Sequence, residues 1–256
     1  MHPDKAKDKL KAGGTVIGAY VRHPDPGLTE ILGYLGFDYL LFDSEHAPIN
    51  ERELENLVRT CELTGVTSIA RVPSNLPWTI GRCLDTGLQG VQIPMVNTAE
   101  EARAAVHAAK YQPLGNRGLA AARAANYAQV QPFSFPAHIE ASNAGTMVVV
   151  QVETPAAIDA LPEIVEVPDI DVIFIGPTDL SNCLGHPGDF KHPDVRSAFD
   201  RIVSIVTKSD KALGVLTGNA EDAIEWRGKG ARYLMSVLES LIAPAIRGYL
   251  KAVREG

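Results

Sequence analysis

The sequence predicts a closed (β/α)8 barrel, with residues 1–256 forming one domain. Three observations carry that expectation. Eight short β-rich runs alternate with eight longer helical patterns through almost the whole chain. The runs are apolar nearly throughout, as strands are when both faces of a parallel sheet are covered. A chain of 256 residues, 45% of them hydrophobic, has the length and the core-forming material that one such barrel needs.

The expected strands lie at 15–21 (TVIGAYV), 39–43 (YLLFD), 68–72 (SIARV), 90–94 (GVQIP), 146–153 (TMVVVQVE), 171–176 (DVIFIG), 211–216 (KALGVL) and 232–238 (RYLMSVL). Helical patterns fall at 27–35, 51–64, 77–86, 98–110, 155–165, 193–208, 219–229 and 239–253. Several open on start signals: Asn50 before Glu51 and Glu53, Thr98 with Glu101 three positions on, and Thr154 before Pro155. An open doubly wound sheet is the competing arrangement. It would carry a glycine-rich turn after its first strand, whereas Gly13 and Gly14 precede that strand here. Residues 111–145, with three prolines, read as a long irregular segment of the kind used for function or for an interface.

Composition narrows the function classes. A net charge of −7 argues against a nucleic-acid partner, which needs a basic face, but leaves room for a small anionic substrate at a locally basic site. Cys61, Cys83 and Cys183 form neither a disulfide framework nor a zinc pattern, and Cys61 falls on an apolar helical face. The first eleven residues are polar and charged, and no apolar stretch reaches the roughly 18 residues that span a bilayer. The expected setting is soluble and cytoplasmic, with no membrane partner.

In a parallel barrel the chemistry collects at the C-terminal strand ends. There the sequence places Asp43-Ser44-Glu45-His46, Arg71, Gln151-Val152-Glu153 and Gly176-Pro177-Thr178-Asp179. Glu153 and Asp179 end consecutive strands, where two carboxylates repel unless protonated or bridged by a cation. Hard oxygen ligands favour Mg²⁺, Mn²⁺ or a similar divalent ion; the alternative is that each acid caps the helix after it. Arg71 can bind a carboxylate and stabilise negative charge on a neighbouring oxygen, or else pair with the acids at the mouth. Asp43 and His46 are read as an acid–base pair, with the carboxylate setting the imidazole tautomer and Glu45 orienting the pair or solvated. His2, His23, His107, His138, His186 and His192 lack a comparable setting. Gly176 and Thr178 could present backbone N–H groups to a substrate carboxylate, which Pro177 cannot. No lysine ends a strand, so a Schiff-base mechanism is disfavoured and a metal ion must act as electron sink.

These residues carry a resemblance. FDYLLFDSEHAPIN, RVPSN, IPMVNTAEEA, YQPLGNRG, and above all QVETPAAIDALPEI followed by VIFIGPTDLS, resemble the HpcH/HpaI aldolases over about residues 15–250. That family contains class II pyruvate-dependent aldolases for 4-hydroxy-2-oxo acids and 2-keto-3-deoxy sugar acids. The resemblance implies a barrel of the phosphoenolpyruvate/pyruvate superfamily, often a hexamer with its last helix exchanged between subunits. It further implies Mg²⁺, Mn²⁺ or Co²⁺ on Glu153 and Asp179, and pyruvate on Arg71 with Gln151 beside it. His46, supported by Asp43, would move protons, and Asp85 would reach the site from a neighbouring subunit of a hexamer or trimer. The last strand departs from the family pattern, with Leu238 and Glu239 in place of a small residue and Asp. That departure bears on the distal pocket. Rival expectations are oxaloacetate decarboxylation or macrophomate synthase-like chemistry, a citryl- or malyl-CoA lyase, and a catalytically silent ligand-binding barrel. The CoA lyase would need a basic phosphate patch, and the sequence shows none near the site.

Overall fold

The computed structural model describes residues 5–255; His2 lies outside them. Strands β1 (Val16–Val21), β2 (Tyr39–Asp43), β3 (Thr67–Arg71), β4 (Gly90–Ile93), β5 (Met147–Val152), β6 (Val172–Ile175), β7 (Ala212–Thr217) and β8 (Ala231–Val237) close a parallel barrel in chain order. The last strand pairs back onto the first, with Gly18 opposite Met235. The helices are α1 (Lys5–Lys11), α2 (Pro26–Tyr34), α3 (Glu51–Thr64), α4 (Pro77–Asp85), α5 (Ala99–Ala109), α6 (Phe135–Gly145), α7 (Pro155–Ile164), α8 (Pro177–Cys183), α9 (Pro193–Val206), α10 (Ala220–Gly228) and α11 (Leu238–Glu255). The eight predicted strands and eight predicted helices are all present, with ends shifted by a few residues.

Local chemistry explains where the helices begin. Asn50 accepts from the backbone N–H of Arg52 and Glu53 while Glu53 reaches back to the Asn50 N–H, a complete capping box. Thr98 and Thr154 cap α5 and α7 through the N–H three residues on. The expectation for residues 111–145 is corrected in part, because the segment contains α6 and a 3-10 turn at Arg123–Ala128. Helix α6 opens on a Ser134 cap and lacks a strong apolar stripe, which is why periodicity did not reveal it. Helix α1 closes the N-terminal end of the barrel by burying Ala6 and Leu10, while the Lys7 ammonium donates to the Thr146 carbonyl and pairs with Asp171.

Period-two alternation sorts each strand into an inner and an outer set. Val16 and Tyr20, Tyr39 and Leu41, Ile69, Met147 and Val149, Val172 and Phe174, and Tyr233 and Met235 fill the interior. A larger apolar shell between strands and helices takes the alternate positions, including Leu40, Phe42, Val148, Val150 and Ile173. The interior is tight. The Tyr39 and Tyr233 rings stack at 4.3 Å, and a Cβ on Gly18 would stand 2.2 Å from the Tyr39 ring. Continuing the same alternation carries Asp43, Arg71, Gln92, Gln151 and Glu153 inward at the C-terminal mouth. The lower layers therefore plug the barrel, and the upper layer is polar.

Among the described residues, no helix is long and apolar enough to cross a membrane. Cys61 and Cys83 are buried, and burial pushes both thiols up, Cys83 to about 12. Helix α11 buries only Leu238 and exposes Ile242, Ile246, Tyr249 and Val253.

Candidate active site

The mouth encloses a cavity of about 310 Å³ lined by Tyr20, Arg22, His46, Arg71, Gln92 and Gln151, the turn Gly176–Asp179, and an apolar wall of Phe174, Leu216, Met235 and Val237. Each polar group arrives by the alternation described above. The β2–β3 register sets Asp43 directly opposite Arg71. Arg71 Nε lies 2.9 Å from Asp43 Oδ1 and 3.1 Å from Glu45 Oε2, and another guanidinium nitrogen donates to the Tyr20 hydroxyl. That hydroxyl in turn donates to the second Asp43 oxygen. Arg71 is thus held on two edges within a buried network.

The electrostatics follow from this arrangement. Burial works against ionisation of Asp43, but Arg71, the Tyr20 hydroxyl and the Glu45 N–H together outweigh it and hold the carboxyl below its usual range. Burial pushes the Tyr20 hydroxyl and the Glu45 carboxyl up.

The expected Asp43–His46 pair is corrected. Asp43 reaches His46 only through the backbone N–H, at 3.3 Å, and its carboxylate belongs to Arg71 and Tyr20. The His46 ring stands at the rim with Glu45 Oε2 at 3.8 Å, which makes Glu45 its nearer acid. The reason is directional: Asp43 ends the strand pointing inward, whereas His46 lies three residues along the loop.

On the far side, Glu153 is buried at the end of β5. It accepts from the Met95 N–H at 2.7 Å and from the Gln151 amide, which is itself held by Gln92 at 2.6 Å. Burial raises the Glu153 pKa, and the Asp179 charge adds to the rise while Gln151 and Met95 oppose it. Gly176 makes room for it: a Cβ there would lie 2.3 Å from Glu153 Oε2 and 3.0 Å from Gln151 Nε2. Gly176 does not serve as a donor, since its N–H is taken by the Val152 carbonyl at 3.1 Å. The sequence expectation is corrected there, and only Thr178 of that pair is left as a backbone donor candidate. Asp179 sits in the first turn of α8 beside the cavity.

A buried carboxyl with a side-chain-free gap beside it and a half-buried acid on the adjacent helix turn suit a hard divalent cation, which would draw on the unused lone pairs of Glu153 and on Asp179. The group of three ligand-type side chains found among the described residues, His186, His192 and Asp194, lies elsewhere, on the connection into α9. There His186 Nε2 meets Asp194 Oδ2 at 3.2 Å, and His192 caps α9 by accepting the Asp194 N–H.

Asp85 stands at the foot of α4, away from the mouth of its own barrel, and pairs with the buried Arg117 at 2.7 Å. Lys110 has its pKa lowered to about 7, chiefly by burial, as a Schiff-base lysine would. It is nevertheless at the opposite end of the barrel, donating to the Asn143 and Thr146 carbonyls. Sequence reasoning missed Tyr20, Gln92 and Met95. The first two were legible from alternation along their strands. Met95 gave no signal, because its role is a backbone N–H presented from a left-handed conformation at φ 55°.

Comparison with known proteins agrees with this geometry. The HpcH/HpaI aldolase/citrate lyase family model matches residues 17–238. A 4-hydroxy-2-oxo-heptane-1,7-dioate aldolase of Klebsiella pneumoniae is 38% identical over 238 residues, covering 89% of this chain and 85% of that protein. A 2-dehydro-3,6-dideoxy-6-sulfogluconate aldolase of Pseudomonas putida is 37% identical over 213 residues, covering 83% and 82%. A crystal structure of a family protein from Burkholderia cenocepacia superposes with a TM-score of 0.92 at 30% identity, covering 98% of this chain and 99% of that one. With Arg71, Gln151 and Glu153 gathered at the mouth of a barrel so matched, the chain belongs to the HpcH/HpaI aldolase/citrate lyase family and is a carbon–carbon lyase of the aldolase kind.

Proposed function

We propose that the chain is a divalent-metal-dependent class II aldolase that reversibly cleaves a 4-hydroxy-2-oxo acid or 2-keto-3-deoxy acid to pyruvate and an aldehyde. The observation that carries this reading is the mouth itself. Glu153 is held deprived of solvent against the side-chain-free Gly176, which lines the cavity together with Asp179 and Arg71, and Arg71 is fixed by Asp43 and Tyr20. Glu153 and Asp179 would hold Mg²⁺, Mn²⁺ or Co²⁺, and such an ion supplies Lewis-acid polarisation of the 2-oxo group when bound.

The chain's own residues do the rest. Arg71 binds the pyruvate carboxylate and stabilises negative charge that develops on the 2-oxo oxygen as the C3–C4 bond breaks. Its orientation is prepaid by the Asp43–Tyr20 network, so little reorganisation accompanies the step. Gln151 and Thr178 orient the pyruvate half. His46, at the rim beside Glu45, takes the 4-hydroxyl proton as the C3–C4 bond breaks, a proton from His46 or water then goes to C3 of the enolate to complete pyruvate, and condensation runs the same transfers in reverse.

We further propose one barrel domain acting in the cytoplasm as a homo-oligomer, a hexamer or trimer. Support for assembly comes from the stripe Ile242, Ile246, Tyr249 and Val253 on α11, spaced to share one helix face and left exposed. Asp85, partly exposed at the foot of the barrel, would be presented to a neighbouring copy's mouth.

Metal-free protein prepared with EDTA should release no pyruvate from a 4-hydroxy-2-oxo acid, and Mg²⁺, Mn²⁺ or Co²⁺ should restore release. Full turnover without an ion would overturn the reading.

A further inference from the structure

Resting on the aldolase reading, we propose that Arg22 selects the acceptor by pairing with a negatively charged group at the far end of the aldehyde half. The argument begins with topology. In a closed barrel of eight strands in chain order, β1 stands directly across the mouth from β5, four strands away in either direction. Glu153 follows β5, so a substrate whose 2-oxo acid end is held there and by Arg71 extends its other end toward β1 and β8.

What it meets is an apolar passage, Met235 and Val237 of β8 with Leu216, and then a cation. Arg22 lines the same cavity, one residue beyond β1, and lies close enough to the Tyr20 hydroxyl to act on its ionisation. A volume of about 310 Å³ exceeds what pyruvate alone requires: it corresponds to about ten water molecules at roughly 30 Å³ each, against six heavy atoms in pyruvate.

Arg22 is held in place rather than left to wander. Glu239, the second residue of α11, accepts from Arg22 Nε at 3.2 Å and lies 3.1 Å from its Nη2, and the same oxygen faces His23 Nε2 at 3.1 Å. This side-on pairing occupies one edge of the guanidinium and leaves Nη1 and a further Nη2 hydrogen for a ligand. Burial works against the Glu239 charge, yet its helix N-terminal position together with Arg22 and His23 keeps the carboxyl below its usual range, so the clamp stays ionised. The substitution of Glu239 for the family's Asp, in the turn that follows β8, thereby gains a physical role. It fixes a cation at the acceptor end of the mouth.

The neighbouring cavity of about 380 Å³ beyond Leu216 and Val237 is a poorer anion site. There Lys191, Arg196 and Lys229 are matched by Asp200, Asp222 and Glu225. The acceptor class assigned to Arg22 is an aldehyde with a terminal carboxylate, sulfonate or phosphate.

The test uses a matched pair of aldehydes, 4-oxobutanoate and butanal, condensed with pyruvate by the metal-loaded full chain. The quantity read is the ratio of the two kcat/KM values. Wild type should favour 4-oxobutanoate, R22Q should reduce the ratio about ten- to a hundredfold, the worth of one charge-assisted hydrogen bond, and R22K should recover part of it. The loss should appear mainly in KM for 4-oxobutanoate. A wild-type ratio near one, or an R22Q variant that slows both aldehydes alike, overturns the assignment of Arg22 and leaves the aldolase reading standing. Failure of wild type to condense pyruvate with either aldehyde removes the aldolase reading and this inference with it.

Discussion

Replacing Gly176 by Ala isolates the claim that the gap beside Glu153 exists for an ion. The backbone at Gly176 has φ −87°, so the change demands no left-handed conformation. Its main effect is steric. The new methyl would stand 2.3 Å from Glu153 Oε2 and 2.7 Å from Glu153 Cβ, against contacts that real Cβ atoms essentially never make below 3.0 Å. Glu153 must therefore retreat by about 0.7 Å, more than the ~0.5 Å within which a functional constellation has to be held. Overpacking of this kind costs about 1–3 kcal/mol. For a chain of this size that lowers Tm by roughly 2–4 °C per kcal/mol, leaving the variant folded. Displacing a metal ligand costs far more in function. We expect metal affinity and kcat/KM to fall about 10–100-fold, measured by calorimetric titration of Mn²⁺ and by pyruvate release, with partial recovery at high metal concentration. Gly81 in α4 is the control, because a Cβ there meets nothing within 4 Å. G81A should bind metal as wild type does. Unchanged metal affinity in folded G176A would refute the reasoning.

Arg71→Lys keeps the charge but loses the fork that Asp43 and Tyr20 grip, so kcat/KM for cleavage should fall about a hundredfold; a variant within threefold of wild type would deny Arg71 its two-edged role. Tyr20→Phe removes the hydroxyl shared by Arg71 and Asp43 and should cost about 1–3 kcal/mol, with KM for the 2-oxo acid rising more than kcat falls. The sign of its pH dependence follows from Asp43. A depressed carboxyl pKa contributes stability that is present above the ordinary Asp value of about 3.9 and is lost as pH falls through the folded value. Y20F should accordingly unfold at higher pH in acid titration, and an unmoved acid midpoint would count against the network. Glu153 has the opposite sign. Its raised pKa means that protonation competes with metal, so affinity should climb with pH above the usual Glu value of about 4.3, whereas a flat profile between pH 4.5 and 7 would contradict it.

The barrel was legible because most strands are largely apolar runs, several of them ending in polar residues, and helix starts such as Asn50 and Thr154 are written in side chains that cap. The place of Glu153 and Arg71 at the mouth was legible for the same reason: a charged residue at the end of a buried strand has few places to go except the mouth, while Asp179 follows β6 into the first turn of α8. The Asp43–His46 pair misled because nearness in sequence says nothing of direction. Asp43 shares the inward face with Tyr39 and Leu41, and its partners come from β1 and β3. Tyr20 was hidden among apolar neighbours whose packing role an aromatic ring can also fill, and only its place on the inner face distinguishes it. Helix α6 escaped because a cap and a proline started it without an apolar stripe to announce it. Gly176 was read as a donor turn, and only coordinates reveal that its N–H is committed to Val152 and that its use is space.

Anomalous diffraction from crystals grown with Mn²⁺ and pyruvate tests the central claim most directly. A single strong peak between the carboxyl groups of Glu153 and Asp179, with pyruvate oxygens completing the shell and Arg71 on the carboxylate, is the predicted result. A peak at His186, His192 and Asp194 with none at the mouth, or a mouth with pyruvate ordered and no ion beside it, would contradict the account.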